Sequence, residues 1–333
     1  MISAPRLTVL GSLNMDISVT VPRLPGPGAT ALGGAAAYAP GGKGANQAVA
    51  AARLGAAVRM VGCLGDDGFG RQLRTALRDE GVADDDVRTV AGVPTGLAMI
   101  TVDESGENMI TVAPGANREV GRQDVAAAAA AGVLVISAEI PVAAISAALA
   151  ADGRPGPDPA LRILNLAPAP PQAGELLALG PDWLIVNESE AAAVLGEEVS
   201  GIEAAGAAAE RLAALGPRHV VVTAGAAGAA YFGAGAPRAG APQADGSAAV
   251  ALRSGGHSVV ISGFTVTAVD SVGAGDTFVG ALAVALASGC AAEEAVRAAS
   301  AAGATAASRP GTQDGMPRPA DIQSVTGYAW PVP

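Results

Sequence analysis

Lysine is almost missing from this chain of 333 residues: 19 of its 20 basic residues are arginine, and Lys43 is the single exception. Basic residues are also outnumbered, 20 against 31 acidic ones, for a net charge of −11. That balance repels phosphate backbones and anionic bilayers, so neither nucleic acid nor a membrane is an expected partner. Histidine is limited to His219 and His257, with no His-Glu-x-x-His pattern. Zinc hydrolysis and histidine-based nucleophilic catalysis therefore lose their usual residues. Two cysteines, Cys63 and Cys290, lie in apolar surroundings and read as reduced core residues of a cytoplasmic protein, not as a bridge. No stretch of about twenty residues is apolar and free of Gly, Pro and charge, so no membrane span or secretion signal is expected. Aromatics are only 3% of a chain that is 50% hydrophobic. The core is expected to be built from many small side chains, chiefly alanine, with helices close to a sheet.

What is present alternates. Strand-like runs at Leu7–Leu10, Val58–Cys63, Val133–Ser137, Ile163–Leu166, Trp183–Val186 and Val220–Thr223 are separated by helical patterns. The helical stretches are Gly44–Leu54, Gly68–Glu80, Asp124–Ala131, Val142–Ala151, Gly201–Leu215, Gly275–Ala287 and Ala291–Ala307. Strands alternating with helices predict an α/β fold of three layers, α/β/α, with a mostly parallel central sheet. Ligands of such sheets bind beyond the C-terminal strand ends. Asn14 and Asp16, Glu139, and Asn187 each follow a strand-like run. Residues 17–40 and 88–112 break the pattern and read as strands with Gly/Pro turns. A hairpin is expected from Thr95–Val102 and Met109–Val112. Residues 150–159 and 233–263 read as surface loops, the second unusually long and rich in Gly, Ala and Pro.

The most informative segment is Asp270-Ser271-Val272-Gly273-Ala274-Gly275-Asp276, which leads into an apolar helix. Glycines let backbone N–H groups converge, and a helix N-terminus adds unpaired donors and a positive dipole end. Such a turn suits a transferring phosphoryl group. Asp276 has two readings: a base that takes a proton from an attacking hydroxyl, or an N-cap. The chain lacks the Gly-x-x-x-x-Gly-Lys-Ser/Thr of P-loop kinases and the Asp-Phe-Gly and His-Arg-Asp of protein kinases. Asn187-Glu188-Ser189-Glu190 has the form of a capping box, and Thr223–Gly228 is a glycine-containing turn after a strand. Lys43 as the only lysine suggests an electrostatic or structural role, chance being the alternative.

Gly273-Ala274-Gly275-Asp276, with Asp270 upstream, resembles the C-terminal signature of the ribokinase-like (PfkB) sugar kinases. Gly41-Gly42-Lys43-Gly44-Ala45-Asn46-Gln47-Ala48 resembles their N-terminal signature, and the likeness runs from about Leu7 to Gly315. The resemblance implies one kinase domain, 1–315, with a small β-sheet lid from strands within 17–40 and 88–112, and a C-terminal tail, 316–333. It implies transfer of the γ-phosphoryl of MgATP to O5 of D-ribose. A nucleoside kinase, a kinase of another sugar, or an inactive sugar-binding regulator are the alternatives.

By the same resemblance, Asp276 is the base and Gly273, Ala274 and Gly275 form the anion hole. Asn14, Asp16, Gly42, Lys43, Asn46 and Glu139, together with Asp276, would bind the sugar. Asn187, Thr223, Gly225, Gly228 and Gly275 would border the nucleotide. Glu190 would organise Mg2+ through water. Asp270, Val272, Ala306, Arg309 and Gly311 would hold an activating K+, with Gly315 standing where a serine is frequent. The lid would also serve as a homodimer contact.

Overall fold

The computed structural model describes residues 4–128, 132–151, 161–233 and 256–332. Most of the two loops 150–159 and 233–263, and the end of the helix expected over Asp124–Ala131, lie outside the described residues. In chain order the strands are β1 (Arg6–Leu10), β2 (Asn14–Val21), β3 (Ala37–Gly41), β4 (Ala57–Gly65), β5 (Ala83–Val90), β6 (Gly96–Asp103), β7 (Asn108–Ala113), β8 (Val133–Ser137), β9 (Leu161–Asn165), β10 (Trp183–Asn187), β11 (His219–Thr223), β12 (Gly228–Gly233) and β13 (His257–Ser262). The helices are α1 (Lys43–Arg53), α2 (Gly68–Asp79), α3 (Arg122–Ala128), α4 (Val142–Ala150), α5 (Ala173–Ala178), α6 (Glu188–Leu195), α7 (Ile202–Ala213), α8 (Ala274–Ala287), α9 (Ala292–Ala307) and α10 (Pro319–Thr326).

The large sheet runs β13-β12-β11-β10-β9-β8-β1-β4-β5, parallel from β11 to β5, with β12 and β13 antiparallel at one edge. Its strands are apolar on both faces, as burial under two helical layers requires. Leu7 and Val9 join Val58, Met60, α1, α8 and α9 in one core, while Leu10, Val61 and Cys63 face α3, α4 and α7 in the other. Period-two alternation along each strand thus feeds both cores. β1 is flanked by β4 on one side and β8 on the other, and the chain builds outward in both directions from this point. The crevice beyond the C-terminal ends of β1 and β8 is the expected ligand position in such a sheet.

A second sheet, β3-β2-β6-β7, stands at that end. It corrects the reading of 88–112: Arg88–Val90 close β5, the edge strand of the large sheet, where Val87 is buried in the core. Of the strands within 88–112, only β6 and β7 belong to the small sheet. Within 233–263, residues 257–262 form β13, paired to β12. Its weakly buried edge position left little apolar alternation to read. The segment 316–333 is likewise more than a tail, since α10 packs on α9 and buries Ile322, with Met316 and Val332 also in the core. A single buried isoleucine in a polar helix gives no periodic signal. Cys63 and Cys290 are both free, the first fully buried and the second partly so.

The Ala-rich composition allows α1 and α8 to approach closely. A Cβ on Gly280 would lie 2.8 Å from the Gln47 carbonyl and 2.9 Å from Ala50 Cβ. Replacing a helical glycine by alanine ordinarily stabilises by about 1 kcal/mol. Overpacking costs about 1–3 kcal/mol, and here the neighbour is backbone. Gly280→Ala is therefore expected to lower stability in urea unfolding, and a gain in midpoint would show that the two helices can part freely.

Candidate active site

Asp276 lies in the first turn of α8 and is 8% exposed. The cap of that helix is Gly273, in the left-handed region at φ 79°, so the N-cap reading of Asp276 does not hold. Its carboxylate turns away from its own helix. Asn46 Nδ2 donates to Oδ2 at 2.9 Å, and Gln47 Nε2 donates to Oδ1 at 3.0 Å. Gln47 also donates to Asn165 Oδ1 at 2.9 Å, at the end of β9. A buried carboxylate needs such partners, and these hold its plane while leaving lone pairs free for a further donor. Gly273 packs on the segment after α9, where its missing Cβ would meet Thr312 Cγ2 at 2.9 Å.

The switch-point crevice carries the second group of polar residues. Ser12 Oγ donates to Glu139 Oε2 at 2.6 Å, and the Lys43 backbone N–H donates to the same oxygen at 3.2 Å. Glu139 thereby ties the end of β8 to the start of α1. Asn14, 2% exposed, has its Oδ1 held by Asn117 Nδ2 at 2.8 Å. Asn117 also brackets Leu13, accepting from its N–H at 2.9 Å and donating to its carbonyl at 3.1 Å. Gly42 is the N-cap of α1 at φ 88°. A Cβ on Gly41 would lie 2.2 Å from Asp16 Oδ2, so this glycine leaves room for the carboxylate on the neighbouring strand.

Electrostatics join the two groups. Burial pushes the Asp16 carboxyl up to about 7, helped by the Glu139 and Asp276 charges and opposed by Lys43. Asp276 holds the Lys43 ammonium charged, with Glu139, Glu190 and Asp16 adding to it against burial. Burial also raises the Glu190 carboxyl, against the Asn187 N–H and Lys43. Among the described residues Lys43 makes no direct ion pair. Its side chain instead lines a cavity of about 220 Å³ with Asn165, Asn187, Glu190, Thr223, Gly273, Gly275 and Asp276.

Asn187 and Glu190 do form a capping box: Asn187 Oδ1 accepts from the Glu190 N–H and Glu190 Oε2 from the Asn187 N–H, both at 2.8 Å. Both residues also line the cavity, so capping and a cavity-facing role coexist. Gly225 lies in a short 3-10 turn and Gly228 opens β12; unlike Thr223, neither lines the cavity. On the far side of Gly273, Asp270 Oδ1 accepts from Val272 N–H at 3.0 Å and Oδ2 from Gly311 N–H at 3.1 Å. The N–H groups of Val269 and Asp270 both donate to the Ala307 carbonyl. The segments 269–272 and 306–311 are thus brought together, with Ala306 and Arg309 in one turn.

Ser12 and four further residues of this network escaped the sequence reading. Gln47 stood inside a motif without a role, and Asn165, at the end of an apolar strand, carried the same signal as Glu139 and Asn187. Asn117 and Gln313, whose Nε2 donates to Asn46 Oδ1, had no local signal.

The Asp16 shift has a consequence for stability. A carboxyl at about 7 in the folded chain and near 3.8 when unfolded favours folding when protonated. Its contribution is present below pH 4, falls away as pH rises toward 7 and stays lost above it. Asp16→Asn does not titrate and is expected to raise the melting temperature most above pH 7, with the gain vanishing near pH 4. A pH-independent difference would refute the burial of this charge.

A family model described as pfkB family carbohydrate kinase matches residues 4–319. The ribokinase of Haemophilus influenzae is 36% identical over 315 residues, covering 93% of this chain and 95% of that protein. The ribokinase of Bacillus subtilis is 35% identical over 329 residues, covering 96% and 98%. A solved structure of Arabidopsis thaliana ribokinase complexed with ribose and ATP superposes with a TM-score of 0.79 at 30% identity, covering 98% of this chain and all of that one. With signatures at residues 41–48 and 270–276 converging on one buried carboxylate, the chain belongs to the pfkB family of carbohydrate kinases.

Proposed function

We propose that the protein transfers the γ-phosphoryl group of ATP to the O5 hydroxyl of D-ribose. The observation that carries this reading is the placement of Asp276. It is an amide-clamped carboxylate at the foot of a glycine turn on a helix N-terminus, between a polar crevice suited to hydroxyls and a cavity lined by the only lysine. The identity to ribokinases over nearly the whole chain supports ribose as the sugar.

In this mechanism the sugar lies in the crevice at the ends of β1 and β8. Asn14, Asp16, Gly42, Asn46 and Glu139 fix its hydroxyls, since amides and carboxylates pair with groups that both donate and accept. A charged Asp16 is the better acceptor, so ribose binding should strengthen as pH rises through about 7. Asp276 accepts the O5 proton on the carboxylate that Asn46 and Gln47 hold. The N–H groups of 273–275 and the α8 dipole stabilise charge growing on the phosphoryl oxygens. Lys43, charged and without a direct ion-pair partner among the described residues, lines the same cavity and would meet that phosphoryl group. The nucleotide lies over Asn187, Thr223 and Gly225–Gly228, and the small sheet excludes water that would otherwise be phosphorylated.

Among the described residues no three His, Cys, Asp or Glu side chains converge as a metal cage. That suits Mg2+ carried on ATP phosphates and water, with Glu190 as a nearby carboxylate; the ion would neutralise phosphate charge. Asp270, Val272, Ala306, Arg309 and Gly311 would hold K+ mainly through carbonyls, and the two segments supplying them are tied together by Asp270. Gly315 offers no side chain there, and a Cβ would lie 2.4 Å from the Gly311 carbonyl. The small sheet exposes Tyr38, Met99, Met109, Ile110 and Val112. Strand register puts Tyr38, Met99 and Met109 on one side of it and Ile110 and Val112 on the other; we assign the exposed apolar side chains of this sheet to a homodimer contact of a cytoplasmic enzyme, a state that light scattering would check.

The test is ADP release measured over ribose, deoxyribose, fructose and nucleosides. Ribose is expected to give the highest kcat/KM; a preferred nucleoside would replace this reading with that of a nucleoside kinase. Asp276→Asn should keep the fold and reduce kcat by about 10²–10⁴-fold, and near-normal turnover would remove the base. In the same assay K+ should support a higher rate than Na+; equal rates would remove the cation site.

A further inference from the structure

The base is held by Asn46, and Asn46 is itself held by a residue with no assigned role. Gln313 lies between α9 and α10 and is 9% exposed. Its Nε2 donates to Asn46 Oδ1 at 3.0 Å, across 267 positions of sequence. An asparagine amide has one accepting and one donating end. A carboxylate only accepts, so Asp276 requires the NH2 end of Asn46. A donor at the other end rewards the same orientation. Gln313 is that donor.

Gln313 is in turn fixed from the helix that carries Asn46. Arg53 lies seven residues further along α1, two turns on and on the same face. Its Nη1 donates to the carbonyls of Gln313 and Met316, the second at 2.9 Å. Its guanidinium is clamped by both oxygens of Glu80. Thr312, the preceding residue, packs on Gly273 of the phosphoryl turn. The loop thus touches Asn46 and Gly273, the donor to Asp276 and the cap of its helix.

We propose that Gln313 is a positioning residue, which sets the amide orientation of Asn46 so that its NH2 group faces Asp276. The inference rests on the proposed role of Asp276 as the base. It separates charge from shape: Gln313→Glu keeps the size of the side chain but, ionised, can only accept. It would draw the Asn46 NH2 toward itself and turn Oδ1 against the Asp276 carboxylate. Gln313→Ala only removes the donor. Loss of a buried hydrogen bond should lower kcat about ten-fold for Gln313→Ala, and inversion about a hundred-fold for Gln313→Glu. KM for ATP should stay within about two-fold, because no nucleotide group is involved. A loop that matters only for stability would rank the two variants by their melting temperatures instead.

The deciding measurement is a double-mutant cycle on whichever sugar the wild type turns over fastest. In the Asn46→Ala background neither Gln313 substitution should reduce kcat further, because the amide they orient is gone. Wild-type kcat in both single variants, or equal losses with and without Asn46, would overturn the inference while leaving the proposed function intact. A wild type that phosphorylates no sugar or nucleoside would overturn both.

Discussion

Enclosing the charge of Asp276 is the constraint around which this end of the molecule is arranged. An unpartnered buried carboxylate would be prohibitively costly, and its partners come from α1, some 230 positions earlier in the chain. The two helices must therefore meet at near van der Waals distance. Gly280 and the alanines of both helices permit that approach. The low aromatic content and the geometry around Asp276 are in this sense one fact. Bulky side chains between α1 and α8 would separate Asn46 and Gln47 from the carboxylate they hold.

The same enclosure explains the electrostatics. The chain is strongly acidic, and four carboxylates, of Asp16, Glu139, Glu190 and Asp276, act on one ammonium. An arginine could not take that place by size and charge alone, since its planar fork wants a paired acceptor in contact. Lysine offers a point charge that can sit near several acids and still meet an incoming anion. The cationic contributions at this site thereby come from one side chain, a helix N-terminus and backbone N–H groups.

Much of this was legible in the sequence. The parallel sheet followed from strands and helices that alternate, and Asn14, Asp16, Glu139 and Asn187 stood out as polar groups closing apolar strands. Less was legible where burial is shared among distant segments. Arg88–Val90 read as lid strand because β5 and the lid strands have similar local composition; only pairing with β4 places it in the large sheet. The helix α10 went unseen because one buried isoleucine has no period. Gln313 went unseen because a glutamine in a loop is ordinary until its partner is known.

The sequence by itself determined the alternating strands and helices of the central layers, the two glycine turns, the acid beside the second turn and the one lysine within the first. These depend on local propensity and on chemistry carried by neighbours in the chain. Tertiary structure alone decided that Asp276 is not the cap of α8, that Asn46 and Gln47 are its donors, that Asn117 holds Asn14 and that Gln313 holds Asn46. The reason is physical. A side-chain amide has no preferred partner encoded around it, and its role is set by which buried acceptor or donor the packed helices bring within about 3 Å.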